Sequence, residues 1–280
     1  MKQFGRRWRL EIGSKTDGIE IEGLRVAFEI TKSIDAKPNL GKIDVWNLNR
    51  DNMNRILSGE LNLVKLWVGY DTLRVIYAGD IVKKRVKRDD LDFITLLDCG
   101  DGHVDYQNSL MTVTLAAGST ERDALEAAAK TMKNTRPGAI DLPNARALPR
   151  ARVLTGNARN VLGRVAANNN ADWSVQDGEL VMIPADKVLP GEAVFLSQET
   201  GMIGSPEATD NGLELACLCN PELRVGGLVR VESILEYFNG DYKIVHLQHA
   251  GDGIGGDWLS KITVIGGKFQ KIEKPKGKNK

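Results

Sequence analysis

The chain has 280 residues, with 38 basic and 37 acidic side chains, a formal net charge of +1, 42% hydrophobic residues and 27% charged residues. That length supports two or three domains with a core that needs no covalent staples, and the composition excludes disorder over most of the chain. The charge balance lacks the basic excess of a dedicated nucleic-acid binder. Three cysteines (Cys99, Cys217, Cys219) make no disulfide framework and read as reduced thiols of a cytosolic setting. No apolar run approaches the ~18 residues of a membrane span, and the basic N-terminus leads into a polar strand pattern instead of a secretory signal.

Residues 1–100 read as strands. Leu24, Val26, Phe28 and Ile30 alternate with Arg25, Ala27, Glu29 and Thr31, so one face is apolar and the other mixed. Ile43, Val45 and Trp46-Asn47-Leu48 continue the pattern. Asn49–Leu57 reads as a short helix opened by an Asn cap. Strands follow at Leu63–Val68, Thr72–Tyr77, Ile81–Lys87 and Leu91–Leu97, with Asp89-Asp90 as the last turn.

From Asp101 to about Pro190 the pattern changes. Ser119-Thr-Glu-Arg-Asp123 opens an Ala-rich helix that runs to Met132, its early acids suiting the helix dipole. Lys133–Arg152, with Pro137, Pro143 and Pro149, reads as a loop or linker. A helix over Asn157–Asn168 carries the stripe Ala158, Val161, Leu162, Val165, Ala166. Trp173–Gln176 and Glu179–Ile183 form a hairpin around Asp177-Gly178. Strands return at Val194–Ser197, Leu213–Cys219, Gly227–Val231, Tyr242–Gln248 and Trp258–Ile265. The lysine-rich tail Lys268–Lys280 has no apolar period and reads as disordered.

The two β-rich regions echo one another. Tyr77-Ala-Gly79-Asp80 and Phe238-Asn-Gly240-Asp241 each precede a strand, a turn and an Asp-aromatic pair, Asp92-Phe93 or Asp257-Trp258. Each follows a strand beginning Leu-Val-basic: Leu63-Val64-Lys65 and Leu228-Val229-Arg230. This points to two related β-barrels flanking an inserted module.

Chemical motifs are few. Gly251-Asp-Gly-Ile-Gly-Gly-Asp257 is followed by a strand, so it lacks the helix that a dinucleotide loop needs. It is single where calcium-binding repeats are tandem, and reads as a hairpin loop. His246 and His249 are three apart in a strand and point to opposite faces. His103 lies in a turn with no evident partner. Cys217 and Cys219 share a strand face, but no second pair completes a zinc site; buried apolar thiols are the reading. Trp46, Trp67, Trp173 and Trp258 read as core residues. No nucleophile elbow, metalloprotease helix or phosphate loop occurs. The expectation is therefore no catalytic, cofactor or metal site.

Several segments in order carry a family likeness: Lys37-Pro38-Asn39, Ile43-Asp-Val-Trp-Asn47-Leu48, Val68-Gly69-Tyr70, Tyr77-Ala-Gly79-Asp80-Ile81 and Asp98-Cys-Gly-Asp101-Gly102. Ser197-Gln-Glu-Thr-Gly-Met-Ile-Gly-Ser-Pro-Glu207, Cys219-Asn220-Pro221, Gly240-Asp241-Tyr242 and His249-Ala-Gly251-Asp252 follow. In these the chain resembles the baseplate hub proteins of tailed bacteriophages and related contractile injection devices. The resemblance implies a mainly β (α+β) fold with two tube-like β-barrel domains, 1–100 and 191–267, flanking an inserted α/β module, 101–190, and a basic tail, 268–280. It implies a homotrimeric ring with a near-sixfold face, joining a hexameric tail tube to a trimeric central spike. Other baseplate proteins and the tape-measure protein are further expected partners, and DNA passes through the lumen without specific binding. The implied location is the virion tail baseplate, after synthesis in the host bacterial cytoplasm. The Trp173–Gly178 hairpin also resembles the small peptidoglycan-binding module of some phage proteins, but two helices and a hairpin do not carry the binding over. The competing functions are a wall-binding module, which would need exposed aromatics, or a wall-degrading component, which would need paired carboxylates or a metal.

Overall fold

Apolar alternation sets the strands, and capped amphipathic segments set the helices. The computed structural model describes residues 5–142, 147–210, 212–267 and 269–271. The fold is mainly β. The first strands are β1 (Arg7–Gly13), β2 (Gly18–Ile21), β3 (Val26–Ser33), β4 (Leu40–Trp46), β5 (Leu63–Gly69), β6 (Leu73–Asp89) and β7 (Asp92–Gly100). Helix α1 (Arg50–Ser58) opens on Asn49, whose side chain accepts the Asn52 N–H at 2.8 Å, and closes on left-handed Gly59.

The middle segment holds α2 (His103–Asn108), β8 (Leu110–Leu115), α3 (Glu121–Ala129), β9 (Arg136–Ile140), β10 (Arg152–Asn157), α4 (Ala158–Asn168), β11 (Ala171–Gln176) and β12 (Glu179–Pro184). Thr120 and Asp123 close a capping box on α3, and Asn157 caps α4. Strand β8 pairs β10, and β12 sits between β11 and β9. Then come β13 (Lys187–Val188), β14 (Val194–Leu196), β15 (Met202–Thr209), β16 (Gly212–Leu218), β17 (Leu228–Val231), β18 (Gly240–Asp252), β19 (Trp258–Gly266) and β20 (Gln270–Lys271). Strands β13 and β20 pair in parallel.

One large sheet runs in the order β15-β16-β19-β18-β3-β4-β7-β6-β5-β1-β2, with β17 joined to β18 and β14 to β17. Its two halves repeat. The order β3-β4-β7-β6-β5 is matched by β15-β16-β19-β18-β17, every step antiparallel. Both long strands carry a register shift at corresponding places, Ile81/Lys83 in β6 and Ile244/His246 in β18. The Leu-Val-basic and Asp-aromatic parts of the sequence echo fall at corresponding places in this order, whereas the Gly-Asp pairs do not: Gly79 pairs with Val64, and the residue opposite the corresponding Val229 is Tyr242, two residues past Gly240. Hydrogen bonding closes neither half into a barrel among the described residues; the halves are spliced by β18 pairing with β3 over His246–Asp252.

Three hydrophobic clusters accompany this order. One packs β1–β7 with α1, one lies wholly within the middle segment around Leu125, Leu162 and Trp173, and one packs β14–β19. The first cluster also takes in Cys219 and Trp258 from the second half.

Several expectations are corrected. Thr72–Tyr77 and Ile81–Lys87 are one strand, β6, bent at its register shift instead of broken. The expected linker Lys133–Arg152 contains β9, where Pro137 is tolerated because, among the described residues, β9 pairs only with β12 and is an edge. Residues 143–146 of it lie outside the described residues. Short α2 and strands β8, β10 and β15 carry too little period to be read alone. Of the tail Lys268–Lys280, the described residues include only 269–271.

The splice leaves no room for a side chain at Gly251. It faces Phe28 across the β18–β3 pair, beneath an edge-to-face Phe28–Trp258 contact with centroids 5.4 Å apart. A Cβ there would sit 2.5 Å from Phe28 Cζ and 2.7 Å from Trp258 Cε3. Gly251→Val should cost about 2–3 kcal/mol by overpacking, whereas Ala250→Val on the opposite face should be near neutral, both read from urea unfolding midpoints.

Candidate functional site: the outer sheet face and the hairpin socket

Side chains of the long sheet that point away from the core form a continuous polar face. Registered pairing sets Lys83, Asp98, Lys42, Glu29 and Ala250 in one row, and Arg85, Leu96, Asp44, Ala27 and Asp252 in the next. A third row runs Leu40, Thr31, Gln248, Lys261, Ala216 and Ile203. Opposite charges sit side by side, the arrangement that cross-strand pairs favour. Arg85 lies 3.0 Å from Asp98, Lys42 is 3.6 Å from Glu29, and Gln248 donates to Glu29 at 2.9 Å. Basic Lys42, Lys83, Arg85, Lys87 and Lys261 are interspersed with acidic Glu29, Asp44, Asp98, Glu207 and Glu214. Trp46 belongs to this face, with the Arg25 guanidinium 4.3 Å above its ring. Trp67 is likewise only half-buried, under Arg9 and Lys65. Among the four tryptophans read as core, Trp173 and Trp258 are buried, and Trp46 and Trp67 are not.

The middle segment is held by the tip of its β11–β12 hairpin. Asp177 and Gly178 both take positive φ, +55° and +79°, as a two-residue hairpin turn requires. The tip enters a polar socket on the first half. Lys32 Nζ lies 2.6 Å from both Asp177 carboxylate oxygens, and the Ala78 N–H donates to one of them at 3.1 Å. The Asp101 carboxylate accepts the Asp177 and Gly178 N–H groups at 2.5 and 3.0 Å. Asn39 donates to the Val175 carbonyl at 2.8 Å and to Gln176, which in turn donates to the Ser33 carbonyl. A second buried lysine, Lys243 of β18, donates to the Pro184 and Ala185 carbonyls at 3.3 Å. Both halves thus send one buried cation to the same hairpin.

Burial dominates the electrostatics here. It raises the Asp101 carboxyl above the ordinary carboxylate range, with the Asp177 charge adding, while Lys32 and the two N–H groups oppose. Burial lowers Lys243, and Asp172 opposes. His249, fully buried, is pushed down to about 3 by desolvation and the Lys32 charge. Its Nδ1 is 2.7 Å from the Ser260 hydroxyl.

The sequence-singled residues do not converge. His249 is buried and His246 half-exposed, on opposite faces as read; His103 opens α2 and bonds Gln107. Cys99, Cys217 and Cys219 are free and buried, and burial lifts each thiol to about 12. No group of three metal-ligating side chains occurs among the described residues. Sequence reasoning missed the socket. Its signal was Lys32, which falls at the same strand parity as buried Val26, Phe28 and Ile30.

Asp177→Asn keeps a residue that tolerates positive φ and strands Lys32 without its counter-charge. It should cost about 2–3 kcal/mol, below a fully buried pair because Asp177 keeps 32% side-chain exposure. Adding Lys32→Met should restore most of the loss in chemical unfolding.

The His249 shift has a sign. Its folded pKa lies below the unfolded value, so its contribution is complete above pH ~6.5 and declines as pH falls toward 3. Raised Asp101 acts oppositely over the upper part of that window. Replacing His249 by Gln should therefore flatten the fall in stability on acidification by up to about 1.4 kcal/mol per pH unit between pH 6 and 4, read by urea titrations across pH.

A spliced double β unit with a socketed α/β segment defines the class as a mainly β phage-tail-type fold. The 43 kDa tail protein of prophage MuSo2 from Shewanella oneidensis has this fold, with TM-score 0.64 and 11% identity over 93% of this chain and 97% of that one. So does a tail protein from Neisseria meningitidis MC58, with TM-score 0.64 and 12% identity over 94% and 97%. The Escherichia coli c3393 protein, a type VI secretion component described as similar to T4 tail proteins gp27 and gp5, matches at TM-score 0.60 and 10% identity over 93% and 78%. No curated protein matches the sequence. Residues 9–250 match the model of the family described as baseplate hub gp41. The chain belongs to this family of structural baseplate hubs and is a phage tail baseplate component.

Proposed function

We propose that the chain is the ring-forming subunit of the hub. Three copies close into a homotrimeric ring, and the two β halves of each, within residues 1–100 and 191–267, give that ring a near-sixfold face. One side adapts to a hexameric tail tube and the other to a trimeric central spike. The 101–190 segment, with its own hydrophobic cluster, is the inserted module on the ring's flank. The observation that carries this reading is the repeated strand order β3-β4-β7-β6-β5 and β15-β16-β19-β18-β17 within one continuous sheet. A chain that contains the same unit twice can convert threefold symmetry into near-sixfold symmetry.

The described likeness of the E. coli c3393 protein to gp27 and gp5 supports a place between tube and spike. The charge-balanced outer face suits a lumen wall. Its acids are interspersed with its bases, so phosphates passing along it meet a mixed surface with little net basic charge to release counterions from. DNA therefore transits without specific binding. Other baseplate proteins and the tape-measure protein are the further partners expected around such a ring, in a virion tail assembled in the host cytoplasm.

Multi-angle light scattering across a concentration range, with electron-microscopy class averages, tests the reading. The expected species is a trimer, seen as a threefold ring of six similar lobes, with an interface on the order of 2,000 Å² per contact. A chain that stays monomeric, alone and with its spike and tube partners, would remove the ring.

A further inference from the structure

We propose that neighbouring subunits join by antiparallel pairing of β15 in one copy with the Lys83–Asp89 stretch of β6 in the next, in a register copied from the pairing of β3 with β18 inside each chain. This rests on the ring reading and names its interface.

Strand β18 has partners on both sides of its second half, β19 on one and β3 on the other. Its counterpart in the repeat, β6, has β7 on one side of Asp80–Asp89, while β5 pairs only as far as Asp80. The other edge of Lys83–Asp89 is free among the described residues. Strand β3 likewise has two partners, β4 and β18, whereas among the described residues its counterpart β15 has only β16. The two free edges are therefore the counterparts of the two edges that meet within the chain. A contact between different edges of identical copies is heterologous, and such contacts close into a ring when the rotation allows. Here the internal splice supplies the rotation.

The repeat also sets the register. The shifts after Ile81 and Ile244 align Lys83 with His246, and therefore Arg85 with Gln248, Val86 with His249 and Lys87 with Ala250. Neighbouring positions agree: buried Thr95 falls on buried Ser260, Leu97 on Ile262 and Phe93 on Trp258. On the other edge, pairing through β4 and β16 aligns Glu29 with Glu207, Ile30 with Ala208 and Thr31 with Thr209. Inside the chain Gln248 faces Thr31, His249 faces Ile30 and Ala250 faces Glu29. Between chains, Arg85 then faces Thr209, Val86 faces Ala208 and Lys87 faces Glu207.

The chemistry of the edges agrees. Lys87 meets Glu207 directly, with Arg85 two residues away on the same face, where Gln248 reaches Glu29 within the chain. Opposite charges directly across a strand pair are favourable. All of these residues are exposed or half-exposed, unlike His249 and Gly251 at the internal splice. The edge basic residues keep an unassembled subunit from pairing indiscriminately. The register shift between Ile203 and Glu207 and Pro206 limit the ladder to Glu207–Thr209.

Cysteine cross-linking tests this. Val86→Cys with Ala208→Cys places two thiols about 5 Å apart at Cβ across the contact, within disulfide reach. Within one chain the positions lie on strands seven steps apart in the sheet order, about 34 Å measured along the sheet, and the appearance of covalent dimer and trimer bands marks the bond as intermolecular. The native cysteines are buried. Mild oxidation should convert the double variant to a covalent trimer on non-reducing gels. Val82→Cys with Ala208→Cys, about 13 Å out of register, should not cross-link. Charge exchange gives an independent readout: Lys87→Glu and Glu207→Lys should each weaken association by about tenfold, and together restore it. A trimer by light scattering in which only the out-of-register pair, or neither pair, cross-links would overturn the edge assignment and leave the ring standing. A monomer under all conditions would overturn both.

Discussion

Strand β18 is the constraint on which the rest depends. It is 13 residues long and hydrogen-bonds three strands, β17, β19 and β3. Without the β3 contact the two halves would be separate sheets, each with one more free edge. Gly251 lets Phe28 and Trp258 close over that contact, so backbone pairing and aromatic packing lock at one point. Because β3 and β18 are held there, Lys32 and Lys243 project from adjacent strands toward the same hairpin.

The hairpin socket is costly in isolation and is satisfied as a set. Lys32, Asp101 and Asn39 are each under 7% exposed, and desolvating such groups costs several kcal/mol unless each is bonded. Here nearly every donor and acceptor has a partner on the opposite element. Such a set adds little net stability over apolar packing, yet it specifies one docking geometry, because any shift of the hairpin leaves a buried charge alone. The set therefore fixes the angle between the middle segment and the sheet. The outer face follows the opposite logic. Its charges are solvent-exposed and individually weak, and their effect is collective neutrality along a surface eight strands wide.

What the sequence determined was local. Alternation set β3, β4, β5 and β19. Asn49 and the Ser119-Thr120 pair marked where α1 and α3 begin, since a polar cap must meet the free N–H groups of a first turn whatever lies around it. Asp177-Gly178 declared a hairpin because few residues accept positive φ in succession. The echo of Leu-Val-basic and Asp-aromatic pairs was legible because strand starts repeat with the unit, while the Gly-Asp pairs fall two residues out of correspondence, mid-strand in β6 and at the start of β18. The family likeness rested on these segments in order.

Tertiary structure alone decided the rest. Strand β9 exists because β12 offers it an edge, against Pro137 and Gly138. Strand β6 is one strand, because a register shift costs no residue pattern that a sequence could display. Lys32 sits at a core parity, and only its approach to Asp177, 145 residues away, tells a structural ion pair from a misplaced surface charge. Trp46 and Trp67 read as core and are not, since a strand's two faces are distinguished by what packs on them. Which edges remain free is likewise a property of the whole sheet: hydrogen bonds between distant strands follow no local code, and only the assembled order shows where pairing ends.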